Sequence, residues 1–194
     1  MLVLALDSSR KQQSIALFNT ETNKFLFSLS AQNKSSQLMP ALVQAFEGAG
    51  IKPQELELLA CSVGPGSFTG IRTALTIVKT MAAQLDLPII TVNNFDLLRH
   101  KFKLSPQDPV LMHAGKNDYF LSLDNDYNNP ETNLFSFETL GYDLLDLAET
   151  STAELIIDYI QTHPELQSIK YTELQPYYLR EPSVNQKTST GLPR

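Results

Sequence analysis

Gly64-Pro65-Gly66-Ser67-Phe68-Thr69-Gly70-Ile71-Arg72 is the stretch whose reading decides the fold of this chain. It stands between an apolar run, residues 58–63, and a long segment of helical periodicity, residues 71–85. At such a strand-to-helix junction, glycine permits positive φ and close backbone approach. A helix N-terminus behind the loop can also hold an anion. Yet the spacing is one residue too long for the dinucleotide fingerprint, and no Gly-Lys-Ser/Thr completes a phosphate loop. Chemistry alone leaves two readings open: a structural turn ahead of a well-capped helix, or an anion site.

Working outward toward the N-terminus, residues 2–6 read as a buried strand, 14–18 as a second and 24–30 as a third. The polar residues 19–23 join the latter two as a hairpin. Residues 35–49 carry Leu38, Leu42, Phe46 and Ala49 on one stripe and read as a helix. Pro40 near its start means that the helix either begins around Gln37 or kinks. Gly48 and Gly50 end it. Toward the C-terminus, Pro88 closes a turn, residues 89–92 form a strand, and Asn94 to Arg99 starts a short helix. Three strands, then helix, strand, helix, strand, helix, is the order of one half of an actin-like fold of the sugar-kinase and Hsp70 type.

Residues 102–109 are polar and hold two prolines, Pro106 and Pro109, which marks a domain boundary. Beyond it, residues 110–113, 119–124 and 134–137 read as strands. Residues 152–162 read as an amphipathic helix with Leu155, Ile156, Tyr159 and Ile160 apolar. The expected organisation is an N-terminal actin-like lobe over 1–103 carrying the glycine loop, a reduced C-terminal actin-like lobe over 104–182, and a flexible tail over 183–194.

A net charge of −6 argues against a broad phosphate-binding surface. The densest basic group, Arg99, His100, Lys101 and Lys103, reads as a solvated linker. The single cysteine, Cys61, lies in an apolar run and reads as a small buried hydrophobe. The apolar start ends at Asp7, lacks a basic leader, and is too short for a signal peptide or a membrane span. A cytoplasmic protein without membrane contact is the expectation. His100, His113 and His163 read as isolated, without metal-ligand spacing, and no Gly-x-Ser-x-Gly elbow appears. Asp7 stands where actin-like kinases place an acidic residue near nucleotide phosphates, but no glycine follows it here. It reads as a residue bonding its own turn. No catalytic residue, cofactor or metal is assigned.

On the helix after the glycine loop, Ile71, Leu75, Val78, Ala82 and Leu85 form an apolar stripe. Beside it runs a second stripe, Thr73, Thr76, Thr80 and Ala83, with Ile77 and Met81 nearby. A helix with one buried face would carry Lys or Glu on the other. Small residues let another helix approach to about 8–10 Å. Either this helix is buried within its own domain, or half its surface belongs to a partner.

At these residues the chain resembles the TsaB (YeaZ) family of the glycoprotease-like group. The loop from Gly64 to Arg72 matches that family's signature almost letter for letter, and Leu4-Ala5-Leu6-Asp7-Ser8-Ser9 fits its first strand. Ser35 to Pro40 resembles its first-helix motif, and Pro176-Tyr177-Tyr178-Leu179-Arg180-Glu181-Pro182 its C-terminal signature. Two departures stand out: Lys34 replaces the usual histidine, and His113-Ala114-Gly115-Lys116 replaces an Asp-Ala-Arg opening. Paired metal-binding histidines, which mark the catalytic paralogue, are missing from the first helix.

The resemblance implies an actin-like two-lobe fold and an accessory role in a complex that adds threonylcarbamoyl to the tRNA adenosine beside the anticodon. It implies a TsaD-like catalytic partner, a TsaE-like ATPase met through the complex, TsaC as supplier of threonylcarbamoyl-adenylate, indirect contact with tRNA, and homodimers when alone. The expected partner interface comprises Ser35, Leu38, Met39, Leu42, Thr73, Thr76, Ile77 and Thr80. The expected structural loop comprises Gly64, Pro65, Gly66, Ser67, Phe68, Thr69, Gly70 and Arg72, shaping a turn without holding a phosphate. The alternative is an independent phosphotransferase of the actin-like superfamily. A protease, suggested only by the historical group name, finds no nucleophile–base pair.

Overall fold

The structure is a computed structural model that describes residues 1–32, 35–115, 118–123, 144–147 and 150–179. Lys34, Lys116, the expected strand at 134–137, the end of that at 119–124, Arg180 to Pro182 and the 183–194 tail lie outside the described residues.

Strands β1 (Leu2–Asp7), β2 (Gln13–Asn19) and β3 (Lys24–Ala31) form an antiparallel meander. Strands β4 (Leu58–Gly64) and β5 (Ile89–Asn93) continue the sheet in parallel, giving the order β3-β2-β1-β4-β5. Parallel neighbours need a crossover. Helices α1 (Leu38–Ala49) and α2 (Phe68–Leu85) supply it on one face. Alternation divides the strand residues between two cores. Leu4, Leu6, Ile15, Leu17, Leu59 and Cys61 meet α1 and α2. Val3, Ala5, Ala16, Phe18, Leu58 and Ala60 face the other way. Burial on both faces explains why the central strands read as near-continuous apolar runs.

The second face is covered by α3 (Asn94–Phe102), the antiparallel pair β6 (Val110–Gly115) and β7 (Asp118–Ser122), and α4 (Thr152–Thr162). Helix α4 lies against β1, β2 and β4, so the chain past residue 103 completes the core of the first sheet. After α4 the chain crosses the β5 edge, where Ile169 and Ile89 exchange backbone bonds of 2.8 and 3.0 Å. Leu174 then enters the α1/α2 core, and Tyr177 N donates to Val63 O at 2.8 Å. The C-terminal signature thus returns to the glycine loop.

Local chemistry accounts for the boundaries. A 3-10 turn at Ser35–Gln37 precedes α1, leaving Pro40 in the first helical turn where its missing N–H costs nothing. Of the two alternatives for Pro40, the later start is the one adopted, and Gly50 caps the far end. Helix α2 starts at Phe68, three residues early, because the Ser67 side chain caps it by accepting from Gly70 N at 3.2 Å.

The basic group at the end of α3 is no linker. Basic residues suit the negative end of the helix macrodipole, and α3 runs on to Phe102 with Lys103 as its left-handed cap. Arg99 is buried, and its Nη2 donates to Asp108 O at 3.1 Å and Ser122 Oγ at 3.0 Å. Nor are the histidines isolated. His100 pairs with Asp158 of α4 at 2.7 Å and lies against the rings of Tyr159 and His163, while His113 meets Tyr119 edge-on. Burial, with Asp96 and Glu165 nearby, pushes the Tyr159 hydroxyl up to about 12. No helix among the described residues is long and apolar enough to cross a membrane.

Candidate functional site

The glycine loop is held from behind by the residues that follow β1. Ser67 N donates to Ser9 O at 2.6 Å, and Ser8 Oγ donates to Gly70 O at 2.6 Å. Asn94 joins the layers: its Nδ2 donates to Ser9 Oγ and to Pro65 O, both at 2.8 Å, and its Oδ1 accepts from Ser62 Oγ at 2.7 Å. Ser62 Oγ in turn accepts from Gly64 N at 3.1 Å. The three glycines are required for two different reasons. Gly64 takes a φ of +106°. At Gly66 and Gly70 φ is not positive. Instead, a β-carbon would lie 2.2 Å from Ser9 O and 1.7 Å from Ser8 O. Of the two reasons the sequence offers for glycine here, positive φ applies at Gly64 and close backbone approach at Gly66 and Gly70.

This network bears on the anion reading. The N–H groups of Gly64, Ser67 and Gly70 already donate to oxygens within the chain. Asp7 is fully buried, and its Oδ1 accepts from Ser9 N at 3.1 Å, the turn-bonding role expected for it. Burial raises its carboxyl above the usual range, opposed by the Ser9 hydrogen bonds and the Arg10 charge. A cavity of about 680 Å³ does open beyond the loop, lined by Ser9, Arg10, Gly66, Ser67, His113 and Asp146 among others. Arg10 spans it to ion-pair with Asp146. Among the described residues no group of three His, Cys, Asp or Glu side chains is placed to hold a metal. Cys61 is fully buried, which raises its thiol.

The expected partner face divides. Thr76 and Thr80 are exposed, Thr73 and Ile77 are half-buried, and Met39 is 53% exposed. Leu38 and Leu42 are corrected: at 0% and 2% exposure they belong to the core between α1 and the sheet. The outward residues of α1 are Met39 and Val43, one turn apart, and Val43 is 47% exposed. Sequence reasoning missed Val43, although its i, i+4 relation to Met39 beside the Leu38/Leu42 stripe carried the signal. Ser35 opens the turn before α1. Between the helix starts lies a groove of about 530 Å³ lined by Ser36, Met39, Phe68, Thr69, Arg72, Thr73, Thr76 and Ile77. Arg72 lies over the Phe68 ring at 4.0 Å, and its Nε donates to Tyr178 Oη at 3.0 Å. Phe68, Thr69 and Arg72, expected as parts of the loop, thus also line the face, and Tyr178 joins them from the far end of the chain.

Fold and loop together define an α/β protein of the actin-like class, with a helical face left open beside the glycine loop. Comparison with known proteins narrows this. The family described as TsaD, tRNA N6-adenosine threonylcarbamoyltransferase, matches residues 25–169. The tRNA threonylcarbamoyladenosine biosynthesis protein TsaB of Bacillus subtilis is 35% identical over 100 residues, covering 50% of this chain and 43% of that protein. TsaB of Escherichia coli is 31% identical over 93 residues, covering 48% of this chain and 40% of that protein. Among solved structures, YeaZ from Pseudomonas aeruginosa superposes with a TM-score of 0.68 at 17% identity, covering 92% of this chain and 99% of that one. The chain therefore belongs to the TsaD family, and the relatives it resembles within that group are TsaB and YeaZ proteins. It spans about half the length of the curated relatives it matches.

Proposed function

We propose that this chain is the non-catalytic scaffold subunit of a cytoplasmic complex that adds threonylcarbamoyl to the tRNA adenosine next to the anticodon. It supports a TsaD-like catalytic subunit by docking α1 and α2 against matching helices. A TsaE-like ATPase joins through the complex, tRNA is reached through the partner, and the chain pairs with itself when alone. The observation that carries this reading is the open groove between α1 and α2. Met39, Val43, Thr76 and Thr80 are exposed, and half-buried Thr73 and Ile77 lie at its margin, with Ile77 packed against the edge of the core. Apolar surface of this kind beside exposed small residues marks an interaction site. The relatives' names supply the process: they are threonylcarbamoyladenosine biosynthesis proteins.

Thr76→Arg tests it. Thr76 is exposed, so the free protein keeps its melting temperature. In the complex the new charge is buried without a partner, which costs several kcal/mol and abolishes micromolar association. Pull-down with the TsaD-like protein and sedimentation of the chain alone, with melts as the folding control, read both effects. A folded Thr76→Arg protein that binds normally sinks the proposed face.

A further inference from the structure

The groove between α1 and α2 is uncharged along its described lining except at one residue, Arg72. An exposed arginine is ordinarily a mobile side chain that loses rotamer freedom when it binds. Arg72 is held. Its guanidinium carbon lies over the Phe68 ring, 4.0 Å from the centroid, and 5.9 Å from the centroid of the Tyr178 ring, which is itself 4.8 Å from that of Phe68. Nε donates to Tyr178 Oη at 3.0 Å, which fixes the rotation of the plane. The two Nη groups keep the paired donors that match a carboxylate. Among the described residues no carboxylate lies within ion-pair distance of them.

We infer that Arg72 is the specificity anchor of this face, pre-set by Phe68 and Tyr178 to take a carboxylate, Asp or Glu, from a heterologous protein partner. This rests on the scaffold reading above and adds the chemistry the partner must carry. A second copy of the chain is a poorer match. A symmetric pairing sets the groove against itself, and its described lining, Ser36, Met39, Phe68, Thr69, Thr73, Thr76 and Ile77, offers no acid. The anchor also gives the C-terminal signature a role, since Tyr178 orients Arg72 from 106 residues away in sequence.

Calorimetric titration of the chain with the TsaD-like protein, at low and high salt, tests this for wild type, R72Q, R72K and Y178F. Melts confirm that each variant is folded. R72Q weakens binding by about thirtyfold and flattens its salt dependence. R72K recovers only part of the loss, because lysine lacks the planar fork. Y178F costs about fivefold, the share of one neutral hydrogen bond. Self-association of R72Q, followed by sedimentation, is unchanged or tighter. If wild type fails to bind the TsaD-like protein, the scaffold reading falls and takes this one with it. If wild type binds and R72Q binds equally well, only the anchor is wrong. If R72Q loses self-association as much as partner binding, the carboxylate comes from a second copy and the heterologous assignment is overturned.

Discussion

Gly66 and Asp7 show how single residues set this site by crowding and burial. A β-carbon at Gly66 would meet the Ser9 carbonyl at 2.2 Å, and backbone cannot rotate out of the way as a side chain can. Gly66→Ala is expected to destabilise by about 1–3 kcal/mol through overpacking. A lowered melting temperature, with weaker complex formation beside it, checks this; an unchanged melt rules it out. Asp7 makes a pH prediction. Its carboxyl is raised in the folded protein, so over that window the folded state holds more protons than the unfolded one. Its contribution is fully present below the ordinary value of 3.8 and is lost as pH rises through the folded value. Asp7→Asn keeps an acceptor for Ser9 N and removes the buried charge. Its melting temperature is expected to exceed that of wild type near pH 8, with the gap closing toward pH 4. A gap that widens toward acid reverses the assignment.

Helix α1 separates core from exposed surface by one residue step. Leu42 and Val43 are neighbours in sequence, but Leu42 is 2% exposed and Val43 is 47% exposed. Leu42→Ala is expected to cost about 2–5 kcal/mol in denaturant unfolding, as buried leucine truncations do. Val43→Asp is expected to leave unfolding within about 0.5 kcal/mol of wild type while weakening partner binding. The opposite pattern would return Val43 to the core. Helix α2 makes the same division over a wider arc. Ile71, Ala74, Leu75, Val78 and Ala82 are buried on one side, while threonines occupy the positions where a solvated helix would carry charge.

At the scale of the whole molecule, the loop that resembles a phosphate-binding turn is used to join segments. Three of its amides are satisfied internally, Asp7 is sealed beneath it, and the C-terminal signature closes over it through Tyr177. Purified chain is expected to show no ATP turnover, and Asp7→Ala to leave that baseline unchanged. Robust hydrolysis lost on Asp7→Ala would favour the phosphotransferase alternative. The sheet draws on both halves of the chain: α1 and α2 cover one face, and α3, β6, β7 and α4 the other.

Most elements were legible because their signals are local. The apolar runs of β1, β2 and β4, the 3.6-residue stripes of α1, α2 and α4, and the glycines ahead of α2 each lie within a few turns of chain, and Thr152–Thr162 stands where its periodicity put it. So was the excess apolar character of α2, since a second stripe of small residues needs no neighbour to be seen. What only the tertiary structure decided are the contacts between distant segments. Arg99 looked like part of a solvated charge run until Asp108 and Ser122 were brought beside it. Leu38 and Leu42 looked available to a partner until the sheet covered them. Ser8 and Ser9 dictate glycine at positions some 60 residues away, and Tyr178 fixes Arg72 across 106. Periodicity is written within one segment, whereas a close approach or a hydrogen bond between two segments depends on where the chain carries each, and neither alone has that on its face.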